Sequence, residues 1–597
     1  MRPHTFHIPV MGIGFTIDTP LKVSHLGIDS VISLVDDILL EKLRKMYCNA
    51  SKLPYKEITN QDEDHRAKRI TSYLNLMHDL AEEKIEKLKS ISSEYNQDLK
   101  QYLNLLPNTS SLKSSFKAFT KRDSINNNNI HINDLPKGSI DVNIMTKVDK
   151  ENYKNDEKLP THYNDAHAAL RGFANSKLNS SVILSAGMNP RLFSYMEDFN
   201  DFYPNLNGNI NKKIVLKVSD YRSALIQGKI LAKKGLWVSE YRIESGLNCG
   251  GHAFATDGYL IGPILAQFRD HKAELIAELH ELLIKALENK NHPIPKAPLS
   301  LKITAQGGVG TAEEHAFLLD HYKVDSVGWG SPFLLVPEAT TVDNETLNKL
   351  KKAKEKDLYL SNISPLGIPF NSLKGNTKDE EKHVLIERNK PGSVCPKRYV
   401  ALNKEFSDKG MCTASREYQY NKIKHLKTLG LSNKDYQKQY QQVVEKSCAC
   451  VGLGTSALLK YNLDTKKEGK GVSVCPGPNL AYFSNEMSLQ DMTNHIYGTV
   501  ETPLETNRPN MFIKELSIYL NYLNVKIEDS KDSLDRKQKK HLGRFVKNLS
   551  DGIEYYEETF KSLQSTFINC KQELLSELEQ GKQTLKQLNQ TINTYAL

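Results

Sequence analysis

Residues 246–254 read GLNCGGHAF, with an ionisable ring placed directly after two glycines and a cysteine three positions before it. A histidine near its intrinsic pKa takes or gives a proton at neutral pH. Glycines beside it let the backbone take positive φ and approach a flat ligand closely. His252 is therefore the first candidate for acid–base chemistry, with Cys249 beside it. The alternative is a histidine satisfied by a tight turn, and the neighbouring segments weigh against it. Downstream, AQGGVGTAEEHAF carries Gly307, Gly308 and Gly310 ahead of a helical stretch, and VGWGSPFLL carries Gly328 and Gly330. Glycine turns that lead from a strand into a helix present converging N–H groups and the positive end of the helix dipole to an anion, usually a phosphate.

The elements that must position these residues follow from apolar runs. Eight short, β-branched stretches recur at 7–14, 30–35, 140–148, 181–187, 214–220, 236–242, 299–308 and 324–330. They are continuous rather than alternating, as expected of parallel strands buried on both faces. Helical patterns at 220–235, 264–289 and 311–322 separate the later ones. Eight β-then-α units predict an α/β fold, a (β/α)8 TIM barrel over 1–340, with a doubly wound open sheet as the competing architecture. In such a barrel His252 falls at the carboxyl end of the sixth strand, where catalytic groups sit, and the glycine turns come after strands seven and eight.

A helical insertion after strand two occupies 36–139, ending in SINNNNIHIND (124–134), whose composition predicts a mobile loop. Residues 341–505 form an irregular stretch holding five of the eight cysteines. Residues 506–597 read as an α-rich extension, either a small helical bundle or the contact of a homo-oligomer. Cys395, Cys412, Cys448, Cys450 and Cys475 lie in loops of the kind that fold around a metal. The spacing leaves open an iron–sulfur cluster, zinc, or buried inert thiols. VGLGTS (451–456) lacks the lysine and the strand context of a phosphate loop.

With 597 residues and a net charge of +9, the chain is too long for one ordinary domain and carries no dominant basic block. Nucleic-acid binding is not indicated. The N-terminus has no signal-peptide pattern and no run reaches the length of a membrane span, so the expected compartment is the cytoplasm.

These motifs, in this order, resemble the nitronate monooxygenase (2-nitropropane dioxygenase) superfamily of FMN-binding barrels. IPVMGIGFTIDTP is similar to that family's first strand and loop, and KVSDYRSALIQGKILAKKG to the unit before its histidine strand. ESGLNCGGHAF is similar to its Glu-Ala-Gly-Gly-His element, and the segments around 303–319 and 324–339 to its paired phosphate turns. The likeness spans roughly residues 6–35 and 140–340. It implies FMN with its phosphate against Gly307, Gly308, Gly310, Gly328 and Gly330. The ring would lie near Met11, Gly12 and Gly14, with Lys147, Gly250 and Gly251 completing the site. It implies that His252 moves a proton on carbon while flavin takes or gives electrons on a small organic substrate. An enoyl-reductase-like flavoprotein, a flavin or iron–sulfur redox sensor with an electron-transfer partner, and a flavin-dependent RNA-modifying enzyme are the alternatives. The chain departs from the family pattern at Asn248 and Cys249, in the insertion, and in everything after residue 340.

Overall fold

The computed structural model describes residues 3–89, 97–114, 135–185, 187–244, 246–253, 257–500, 507–529 and 535–594. SINNNNIHIND lies outside the described residues.

All eight strand runs become strands of one closed parallel barrel. They are β1 (Phe6–Ile8), β2 (Asp29–Ser33), β3 (Ile140–Met145), β4 (Ser180–Ser185), β5 (Lys212–Val218), β6 (Val238–Glu244), β7 (Lys302–Gln306) and β8 (Ser326–Gly328). Each pairs in parallel with its neighbours in chain order, and β8 closes on β1 through Phe6↔Val327 and His7↔Gly328. The competing open sheet is thereby excluded. The first strand is shorter than its apolar run because Pro9 has no N–H to donate and Gly12 turns to φ 54°.

The insertion after β2 is helical. It contains α1 (Asp37–Ala50), α2 (His65–Lys89) and α3 (Gln97–Leu105). Barrel helices come after the later strands: α4 (Asp165–Ala174), α5 (Tyr221–Ala232), the long α6 (Ile261–Asn289) and α7 (Ala312–Asp320). Beyond residue 340 a two-stranded antiparallel ribbon, β9 (Leu358–Ser361) and β10 (Phe370–Leu373), precedes the buried helix α8 (Ala449–Lys460). VGLGTS lies inside α8. Its glycines are packing positions, with Gly452 against Ser473 and Gly454 against Leu39 and Asp36.

The C-terminal stretch forms α9 (Met511–Asp529), α10 (Arg536–Ser562) and α11 (Lys571–Thr594). Helix α9 meets α7 through Phe512 and Phe317, α10 packs on α6, and α11 packs on α9 and α10. Near the start of α6, the Ile261 N–H donates to Glu515 at 2.9 Å and the Gly262 N–H to the Tyr556 hydroxyl at 3.0 Å. The Gly246 N–H donates to the Tyr519 hydroxyl at 2.9 Å. No described helix is long and apolar enough to cross a membrane.

A buried ionic cluster ties barrel, insertion and extension together. Asp36, at the end of β2, caps α1 by accepting the Leu39 N–H at 2.9 Å. It also accepts Lys397 Nζ at 2.6 Å and the Tyr399 hydroxyl at 3.0 Å. Its neighbour Asp37 accepts Arg66 at 2.6 Å, Arg69 at 2.8 Å and the same Tyr399 hydroxyl at 3.0 Å. The Lys397 and Asp36 side chains are 2% and 1% exposed. Removing one partner of so buried a pair strands the other charge away from water, so Lys397→Met is expected to cost about 3 kcal/mol or more. Urea denaturation and limited proteolysis of residues 341–500 measure this. A loss within about 0.5 kcal/mol, the range of an ordinary surface change, would contradict the role given to this pair.

Candidate active site

The carboxyl ends of β2 to β5 deliver a row of polar groups to the barrel mouth: Ser33, Asn143, Ser185 and Lys217. With Gly12, Gly250, Gly251 and His252 they line one cavity of about 140 Å³. Its remaining walls are apolar, among them Val10, Ile13, Val35, Met145 and Val148 from the barrel. The extension closes the top with Ser364, Leu366, Phe370, Cys450, Leu453 and Cys475. Asn143 and Lys217 carry a sequence signal, as polar residues set between apolar ones in strand runs. Ser364 and Phe370 carried none, being more than a hundred residues from the histidine they touch.

Four main-chain bonds hold the extension on the mouth. The Gly14 N–H donates to the Leu453 carbonyl at 2.9 Å and the Gly251 N–H to the Cys475 carbonyl at 3.0 Å. Ala253 donates to Pro369, and Asn371 to Gly251, both at 2.9 Å. The loop carrying His252 thus becomes a strand-like bridge to Phe370, whose ring meets the imidazole edge-on at 5.0 Å between centroids.

Asn248 is the staple of this loop. Its side-chain oxygen accepts the Gly250 N–H and Asn371 Nδ2, both at 2.9 Å, and its Nδ2 donates to the His252 carbonyl at 2.8 Å. A carboxylate could accept the first two bonds but has no proton for the third, so the amide suits this position. Glu244 instead accepts the Cys249 N–H at 3.2 Å and Gln306 Nε2 at 2.8 Å, and pairs with Lys217.

His252 Nε2 lies 2.7 Å from Ser364 Oγ. The same oxygen accepts the Leu366 N–H at 3.2 Å, and with Nε2–H donating to its second lone pair the Nδ1 lone pair is the one left to take a proton. Burial, with Lys217 nearby, pushes the His252 pKa down to about 4. The ring is therefore neutral at physiological pH. Cys249 does not line the cavity. Its buried sulfur lies against Gly330 and takes the Gly307 N–H, and burial raises its pKa, so the group is a protonated thiol. Met11 is buried with its N–H on Thr16, and Lys147 is exposed beside Gly187, away from the cavity lining.

The glycines after β7 and β8 do not line the cavity. A Cβ on Gly307 would lie 1.7 Å from the Leu247 carbonyl, and one on Gly308 2.7 Å from the Leu247 side chain. At Gly310 it would meet the Arg508 guanidinium at 2.4 Å, at Gly328 the Gln306 and His7 side chains, and at Gly330 Cys249. These five positions are glycine because protein packs there. Of the residues expected around a flavin ring, Gly12, Gly250, Gly251 and His252 line that cavity and Met11, Gly14 and Lys147 do not, while the glycines expected around the phosphate are covered. The group as a whole does not fit this site.

Cys395, Cys412, Cys448 and Cys450 gather beside the mouth, with Cys395 and Cys450 each hydrogen-bonded to Cys448. Cys475 stands apart at the cavity. Among the described residues no three His, Cys, Asp or Glu are arranged to hold a metal ion, so the iron–sulfur expectation finds no support. The thiols satisfy one another and the backbone instead, as where the Arg398 N–H donates to Cys395 Sγ at 3.3 Å.

No protein-family model and no curated protein matches this chain. Among solved structures it overlaps FabK from Thermotoga maritima at 12% identity over 86% of this chain and 96% of that one, with a TM-score of 0.33. It overlaps the enoyl reductase domain of MlnA from Bacillus amyloliquefaciens at 14% identity, covering 72% and 89%, with a TM-score of 0.33. The nitroalkane oxidase of Streptomyces ansochromogenes aligns at 10% identity, covering 83% and 94%, also with a TM-score of 0.33. At that score the overlaps carry nothing about the site, and the barrel stands on its own strand pairing.

The glycines separate packing from function. Gly307→Ala adds an atom against a backbone carbonyl at φ 101°, and should cost more than about 3 kcal/mol. Gly251→Ala, at φ 77° with nothing within 4 Å of its Cβ, should cost about 1 kcal/mol. Chemical denaturation of both variants checks this, and equal losses would contradict it.

Proposed function

We propose that the protein is a flavin-dependent oxidoreductase acting on a compact organic molecule at the barrel mouth, with His252 as the group that moves the proton. The observation that carries this reading is the convergence of Gly12, Gly250, Gly251 and His252 on one apolar-walled cavity at the carboxyl ends of the strands. FMN is the cofactor implied by the resemblance. Gly12, Gly250, Gly251 and His252 support the ring side of its site, and the glycines of the phosphate side are packed against protein.

The chain's own residues account for the acid–base half. A base must be unprotonated before it can accept, and burial keeps His252 so over the physiological range. Ser364 holds the imidazole by Nε2, and Phe370 packs against the ring, so its orientation is fixed before a substrate arrives. The apolar walls keep water from competing for the proton. A cavity of about 140 Å³ is below the roughly 300 Å³ at which sites for drug-sized ligands begin, so a flavin ring and a compact substrate enter it together only when the extension over its top gives way.

The sign of the pH effect comes from the depressed pKa. Protonation inactivates the base, so turnover should fall only as pH drops toward 4 and stay level between pH 6 and 8. Flavin-coupled turnover of small carbon acids and conjugated enones provides the assay. His252→Gln should lower it by about a hundredfold or more. An acidic limb near pH 6.5, or an active His252→Gln protein, would contradict the assignment.

A further inference from the structure

The glycine turn after β7 already holds an oxyanion, and it belongs to the protein. Glu314 sits in the first turn of α7, behind the N-cap Thr311. One carboxylate oxygen accepts the Gly310 N–H at 2.9 Å and Arg508 Nη2 at 2.8 Å. The other accepts Arg508 Nη1 at 2.8 Å and the Met511 N–H at 2.7 Å. Two main-chain amides and a bidentate guanidinium at a helix start are the donor set a phosphate would recruit. The Glu314 and Arg508 side chains are 1% and 6% exposed.

The rest of the track is filled as well. Arg508 also donates to the Gly308 carbonyl at 2.8 Å and to Asn479 at 3.0 Å, and Asn479 Nδ2 donates to the Val309 carbonyl at 2.6 Å. The Gly477 N–H donates to Ser331 Oγ at 2.7 Å, closing the turn after β8. An incoming phosphate would have to displace a buried ion pair and would meet a carboxylate of its own sign.

We infer that Glu314 and Arg508 are specificity-determining residues that make the barrel mouth discriminate against phosphate-bearing ligands, so that it takes a flavin lacking the terminal phosphate in preference to FMN. This rests on the flavin reading of the cavity and sharpens it. The same two turns that would anchor a nucleotide anchor residues 477–511 of the chain itself.

The test is a titration of the full-length protein with lumiflavin, riboflavin and FMN, read by quenching of flavin fluorescence. Riboflavin and lumiflavin should bind with similar affinity, and FMN at least about tenfold more weakly than riboflavin. Glu314→Gln removes the competing charge while leaving Arg508 in place. It should bring the FMN and riboflavin affinities together without changing that for riboflavin. Tighter binding of FMN than riboflavin by the unaltered protein, or FMN recovered in stoichiometric amount on purification, would overturn the inference and leave the flavin reading standing. A Glu314→Gln protein that folds with an unchanged ratio would also overturn it. If that variant does not fold, the ratio for the unaltered protein decides alone. Failure of all three flavins to bind would overturn the flavin reading and this inference together.

Discussion

The structure depends on the charge pair between Lys397 and Asp36, set at the end of β2 where barrel, insertion and extension meet. Burying either group alone would be prohibitive, so the two must come together for the chain to reach this state. Tyr399 extends the tie to Asp37, and through it to Arg66 and Arg69 of α2. Placing residue 397 at the mouth also constrains the later segments of the extension. Helix α8 lays Leu453 on Gly14, and the segment after it lays Cys475 on Gly251. The extension is thus a structural part of the site, supplying both the hydroxyl that holds His252 and much of the cavity's wall.

That construction explains the cavity's small size. A barrel mouth is ordinarily framed by the loops after its own strands. Here a further hundred and more residues settle on those loops, using amides that would otherwise face a ligand. What remains open lies over β2 to β5, where Ser33, Asn143, Ser185 and Lys217 project, while the side of β7 and β8 is packed shut. The neutral His252 stands at the boundary between the two halves, with Ser364 on its Nε2.

The barrel was legible because buried parallel strands need uninterrupted β-branched runs, and IVLKVSD or VDSVGWG can be little else. The position of His252 came from counting those runs. The meaning of the glycines did not. In QGGVGTAEEHA, the residues that resemble a phosphate turn also spell a helix start of the Thr-x-x-Glu type, with Thr311 accepting the Glu314 N–H at 3.1 Å. Local sequence does not separate a turn whose amides await an anion from one whose amides are taken by its own glutamate. Arg508, nearly two hundred residues away, decides between them. The cysteines were ambiguous in the same way. Their gathering depends on contacts between distant segments, such as the pairing of Ser393 with Ser415, and their spacing carries no trace of it.

Residues 341–500 close the barrel mouth through main-chain bonds to Gly14 and Gly251. Hydrogen–deuterium exchange of the full-length protein, resolved at those two amides, tests it most directly. Both should exchange as slowly as the strand amides of β5 and β6. Exchange at the rate of open, solvated loops would contradict it.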